Sequence, residues 1–232
     1  MIDVFPAASR HSADLGWLRS QPSFSFGAYY DPNRTGFSVM RVCNDDYLAP
    51  GKGFGAHPHS DMEIVSIVLN GQIRHEDNLG NSVVSSFGEV QRMSAGTGVI
   101  HTEFNASEET ELRLLQLWFM PKERGLAPSY EASRFDIDKL HNALLPVVSG
   151  QADGQTASIG QDMTIYLSKL EQGKNLAYAV EPGRKQFIYI IEGSLQVHGE
   201  TLETGDTAQI EASDGLSLAA SEAVFFMLID LP

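Results

Sequence analysis

A single cysteine, Cys43, stands in the 232 residues, so no disulfide can form within the chain. It sits in the apolar run Phe37-Ser38-Val39-Met40-Arg41-Val42-Cys43, with no neighbour in sequence that would lower a thiol pKa, and reads as a buried core residue. Basic residues are also scarce: 16 Lys and Arg stand against 30 Asp and Glu, a formal net charge of −14. The longest basic run is the pair Arg184-Lys185. Such a field repels phosphate backbones and anionic lipid heads, so neither direct nucleic-acid binding nor membrane binding is expected. No stretch reaches the ~18 apolar residues of a membrane-spanning helix. Met1-Ile2-Asp3-Val4-Phe5-Pro6 lacks the basic start and long apolar stretch of a secretion signal. A cytoplasmic monomer is the expectation.

What the chain does have is many short β-branched and aromatic runs separated by turn residues. Strands are predicted at 36–42, 62–69, 72–76, 81–86, 90–93, 100–104 and 112–120, and again at 163–170, 186–192, 194–198, 207–210 and 223–231. Asn70-Gly71, between two apolar runs, reads as a hairpin turn because both residues tolerate positive φ. Short strands at this spacing indicate an all-β sandwich or barrel. The two halves resemble each other. Ile64-Val65-Ser66-Ile67-Val68-Leu69-Asn70-Gly71 aligns with Phe187-Ile188-Tyr189-Ile190-Ile191-Glu192-Gly193, and Gly88-Glu89 with Gly205-Asp206. A duplicated barrel follows: 1–121 as an N-terminal metal-binding barrel, 122–155 as a connector with a helical turn near 135–140, and 156–232 as a second barrel without metal ligands.

The sharpest chemical feature is His57-Pro58-His59. In an extended segment alternate side chains share a face, so both imidazoles can address one point. Seven histidines in 232 residues would give roughly 0.2 such pairs by chance, so the pair alone is weak. His101-Thr102-Glu103 repeats the spacing and adds a carboxylate. Three imidazoles and one carboxylate from neighbouring strands fill four positions on an ion and leave others open, as a catalytic metal requires. Iron, zinc, manganese, nickel, cobalt and copper all accept such donors. In the second half, Arg184-Lys185-Gln186 stands where the His pair is expected, and His198 is isolated. His75 reads as a supporting or surface residue, His11 and His141 as solvent-facing, and Trp118 as core. Trp17, Phe24, Phe26, Tyr29 and Tyr30 read chiefly as core, with pocket-wall roles open to some of them.

Gly53, His57, His59, Glu63 and Gly71, followed by Gly88, Gly96, His101 and Asn105, resemble the two cupin motifs. The His-x-Glu at His101 and Glu103 resembles the pirin family of bicupins, as do Gly16-Trp17-Leu18, Tyr29-Tyr30-Asp31-Pro32, His75-Glu76-Asp77 and Gln116-Leu117-Trp118. The resemblance implies two jelly-roll (double-stranded β-helix) barrels in one chain. It also implies a metal held by His57, His59, His101 and Glu103, with Fe(II) the first choice of ion. Glu63 becomes a supporting residue, a swap with Glu103 being left open. The activity implied is that of a quercetin 2,3-dioxygenase: O2 and a planar aromatic or enolic substrate such as a flavonol, opened with loss of carbon monoxide, Glu103 taking the hydroxyl proton. Two other readings stand beside it. One is a non-catalytic metal-binding regulator contacting a protein partner, such as a transcription factor or a metabolic enzyme. The other is a different cupin chemistry, such as isomerisation.

Overall fold

A computed structural model describes residues 1–152, 154 and 156–232. In chain order the strands are β1 (Ile2–Phe5), β2 (Ala13–Asp14), β3 (Leu18–Pro22), β4 (Met40–Leu48), β5 (Gly53–His59), β6 (Glu63–Asn70), β7 (Gln72–Asp77) and β8 (Ser82–Ser86). There follow β9 (Glu89–Ser94), β10 (Val99–Asn105), β11 (Leu112–Phe119), β12 (Ser129–Arg134), β13 (Leu145–Ser149), β14 (Ala157–Ser158) and β15 (Thr164–Leu170). The last are β16 (Asn175–Ala179), β17 (Lys185–Glu192), β18 (Ser194–Val197), β19 (Glu200–Glu203), β20 (Thr207–Ile210), β21 (Gly215–Ala220) and β22 (Val224–Leu231). The chain divides into two compact units. One comprises His11–Phe135 with Gly150–Gln161, the other Met1–Arg10 with Asp136–Ser149 and Asp162–Pro232.

In the first unit a large sheet runs β12-β9-β6-β11-β4-β3-β2 and a small one β5-β10-β7-β8. Leu18, Leu48, Val68, Ile73, Leu112 and Leu114 form one buried core cluster, and Ile64, Met93 and Val99 another. The second unit repeats the plan, β1-β20-β17-β22-β15-β13 and β16-β21-β18-β19. Matching the sheets strand for strand puts β6 with β17, β5 with β16 and β10 with β21. Both units are antiparallel jelly rolls.

Three expectations change. Asn70-Gly71 is not a hairpin, because β6 and β7 belong to different sheets. Gly71 (φ +78°) turns the chain through a corner where an added Cβ would lie 2.8 Å from the Glu111 carbonyl oxygen. Gly193 (φ +85°) makes the matching corner, 2.0 Å from the Ala223 oxygen. Second, the expected connector carries β12 and β13. Strand β12 pairs with β9, its Ser-Tyr-Glu-Ala-Ser-Arg composition suiting an edge strand and reading as loop. The helical turn near 135–140 is a short 3₁₀ segment, Ile137–Leu140. The connector's end, at residues 153 and 155, lies outside the described residues. Third, Arg184-Lys185-Gln186 leads into β17 and is not the counterpart of the His pair. The counterpart is β16, where Leu176 pairs with Leu218 and Tyr178 with Leu216. These residues join the apolar core of the second unit. Burying each such Leu contributes about 2 kcal/mol.

Candidate metal centre

Strands β5 and β10 pair antiparallel with His57 opposite His101 and His59 opposite Val99. The register slips by one residue before Glu103 meets Phe54. The slip is a bulge, and bulges re-aim side chains beside functional sites. Gly53 permits the approach that follows: an added Cβ there would lie 2.2 Å from the Glu103 carbonyl oxygen. Along β10, Val99, His101, Glu103 and Asn105 are all buried, as alternation on one inward face requires. Asn105 spends its side chain on the carbonyls of Leu48, Ala49 and Thr110.

The hydrogen bonds fix which imidazole nitrogens carry protons. His57 Nδ1 lies 2.7 Å from the Gly55 carbonyl oxygen, which can only accept, so the proton is on Nδ1 and the Nε2 lone pair points inward. On the other side, Asp77 Oδ2 accepts from His75 Nε2 at 2.9 Å. Asp77 is an ionised acceptor: burial raises its pKa, but bonds from His75, Asn81 and Leu79 outweigh that and lower it. With its Nε2 donating to Asp77, His75 offers Nδ1 to His101 Nδ1–H, 3.4 Å away. The His101 Nε2 lone pair is left facing His57 Nε2 at 3.0 Å. Two lone pairs that close repel unless a cation lies between them. The third imidazole, His59, has its Nε2 buried with no hydrogen-bond partner. Ligand nitrogens of His57, His59 and His101 lie within 4.8 Å of one another.

Glu103 is not in that set. Its carboxylate lies within 4.8 Å of ligand nitrogens of His75 and His101 instead. It is held there by Ser66 Oγ (3.1 Å) and by Gln116 Nε2 (2.9 and 3.1 Å). Its charge still reaches His59, raising that pKa against stronger opposing effects. Burial, then the charges of His101 and His57, lower His59 to about 4. Burial, then His57 and His75, lower His101 to about 3. Both rings are therefore neutral near pH 7 and present lone pairs without first losing a proton.

Aromatic rings wall the site. Trp118 packs on the core cluster of Ile64, Met93 and Val99, as expected, and also stands edge-on to His59 at 4.8 Å, backed by Phe26. Phe54 faces His57 and Trp17 backs Phe54. Phe24 is core and Tyr30 is exposed. Tyr29 stacks on the exposed His11. His75 is buried, bonded to Asp77 and stacked on Tyr130 at 4.3 Å. His141 and His198 are exposed, and Cys43 is buried. On the outer side His57 and His59 are only half-buried, and His59 borders a hollow of about 390 Å³ with Pro58, Asn78 and Ile100. Sequence reasoning gave Ser66, Gln116 and Asp77 no role at the site, though Gln116 and Asp77 lie in stretches that carry the resemblance. The first two carried a signal, being polar residues inside otherwise apolar strands.

Comparison with known proteins agrees with this fold. Residues 5–119 match the family model described as Pirin, and 146–231 that of the quercetinase C-terminal cupin domain. The whole chain is 39% identical to quercetin 2,3-dioxygenase of Escherichia coli strain K12, covering 99% of it. The chain belongs to the pirin family. A pirin-like protein of Caulobacter vibrioides is 38% identical, with 99% of each chain covered. The crystal structure of the bacterial pirin YhhW from Escherichia coli in complex with nickel(II) matches with a TM-score of 0.95 at 39% identity, covering 100% of this chain and 99% of that one. The two jelly rolls are thus the two cupins of a pirin. The donor set, three convergent imidazole lone pairs with a carboxylate beside them, fits a divalent transition metal. Among the described residues the second unit holds no comparable cluster.

Proposed function

We propose that His57, His59, His101 and Glu103 hold one divalent ion, Fe(II) by preference, and that this pirin opens a flavonol such as quercetin with O2 and loss of carbon monoxide. The observation that carries the reading is the facing pair of Nε2 atoms on His57 and His101, with the buried, unpartnered His59 Nε2 beside them. On an octahedral ion these four protein donors would leave positions open for substrate or O2, as a catalytic metal requires. Iron is preferred over zinc because O2 chemistry needs a redox-active ion. When bound, the metal would supply Lewis-acid polarisation of the substrate enol and the electron transfer to O2.

The chain's own residues do the rest. Trp118 and Phe54, backed by Phe26 and Trp17, give the site apolar walls suited to a planar aromatic substrate. Glu103 is the proton acceptor for the substrate hydroxyl. Gln116 and Ser66 hold its carboxylate, which would serve the ion as the fourth ligand. The first cupin carries the chemistry and the second carries no metal.

The test is to mix metal-loaded protein with quercetin without oxygen and then admit air. The flavonol absorption band should bleach and carbon monoxide should be released. Glu103→Gln should lower kcat by about 10²–10⁴-fold, the usual worth of a general base. Turnover at the wild-type rate in that variant would show that Glu103 is not the base.

A further inference from the structure

Glu63 occupies the position of the usual cupin carboxylate ligand, yet its side chain points away from the cluster of His57, His59 and His101. Ser66, three residues on, points inward to Glu103, so pleating sends Glu63 to the opposite face of β6. There it is 2% exposed. Its Oε1 accepts from Ser94 Oγ at 2.9 Å and from the Gly160 amide at 2.7 Å. Its Oε2 is buried and has no partner among the described residues. A buried carboxylate oxygen without a donor is costly, and native structures normally pair it.

Glu63 lines a cavity of about 240 Å³ together with Met62, Pro121, Lys122 and Leu126. At about 30 Å³ per water this holds roughly eight water-sized atoms. The loop that roofs it is pinned. The Gly125 amide bonds Asp61 Oδ1 at 2.7 Å, and the Thr97 amide bonds the Leu126 carbonyl at 2.9 Å. Gly96 sits so close beneath that an added Cβ would lie 2.1 Å from the Leu126 oxygen. Leu126 itself is 49% exposed, an apolar rim with little of its own to cover it.

We propose that this cavity is a second ligand site, separate from the metal, that takes a small organic ammonium: the cation on Glu63 Oε2 and the apolar body against Met62, Pro121 and Leu126. A charge-assisted bond to a buried carboxylate is stronger than a neutral one, which favours an ammonium over an alcohol of the same shape. The competing occupant is the protein's own Lys122, exposed at the rim.

Calorimetric titration of the metal-loaded protein with benzylamine tests this. One saturable site is expected. Affinity should fall by about tenfold or more in Glu63→Gln, and benzyl alcohol should bind wild type weaker by a similar factor. Gln keeps an oxygen for Ser94 and Gly160, so the fold is preserved. Binding should persist in His57→Ala, since an amine that merely ligates the metal would be lost there. The proposal is overturned by absence of saturable binding, or by binding that survives Glu63→Gln. It is equally overturned if only Lys122→Ala protein binds the amine, because Lys122 is then the resident partner.

Discussion

An imidazole nitrogen takes its role from what the other nitrogen of its ring is bonded to. The Gly55 carbonyl decides His57, and the series Asp77, His75, His101 decides His101. On the proposed ligand set His75 is thereby a positioning residue, acting on the ion through His101. Outer partners of this kind are typically worth about 10–100-fold in metal affinity. His75→Phe keeps the stack on Tyr130 and removes both nitrogens. A chelator-competition titration should show metal affinity weakened within that range, and unchanged affinity would remove His75 from the account. The His and Glu pairs themselves were legible, because alternation in an extended chain is a local property. The Asp77–His75 support was not, since it depends on β7 lying beside β10. Nor was the diversion of Glu63, where the motif spacing is kept but the pleat puts the side chain on the other face.

At the scale of strands, the site depends on how closely β5 can approach β10. Gly53→Ala places a methyl into the Glu103 backbone, whereas Gly55→Ala meets nothing within 4 Å. Thermal unfolding should show a lower Tm for Gly53→Ala and little change for Gly55→Ala, with metal affinity following the same order. Gly193→Ala combines a positive φ with a Cβ 2.0 Å from the Ala223 oxygen, and should cost at least about 2 kcal/mol in denaturant unfolding. Long apolar strands such as β6, β11, β17 and β22 were evident in sequence because they are buried on both faces. Polar or short edge strands such as β2, β12 and β19 were not, since pairing and not composition makes them strands. The Asn-Gly corner misled for a related reason: a positive-φ turn has the same local chemistry whether the next strand pairs back or joins another sheet.

Across the whole molecule, one plan is used twice, and among the described residues the histidine cluster stands in one copy. The duplication was visible in the Gly71 and Gly193 corners and in the Gly88 and Gly205 turns. The true counterpart of the His pair, Leu176 and Tyr178 on β16, emerged only from sheet order. Acid should expose the metal site's contribution to stability. His59 and His101 titrate at about 4 and about 3 when folded, against 6.5 as the ordinary value. The unfolded chain therefore binds more protons below pH 6.5, so stability rises with pH through that window. Metal-free protein should be fully stable above about pH 6.5 and lose stability progressively toward pH 4 and 3. Urea midpoints measured from pH 7.5 down to 4.5 check this, and a flat profile would contradict the burial of these rings as neutral bases.

The most direct measurement is elemental analysis of the purified, iron-reconstituted protein beside His57→Ala and His101→Ala. The account predicts about one transition-metal ion per wild-type chain and none retained by either variant while both stay folded by circular dichroism. A wild-type chain that binds no ion, or variants that keep it, would contradict the central claim that these imidazoles share one cation.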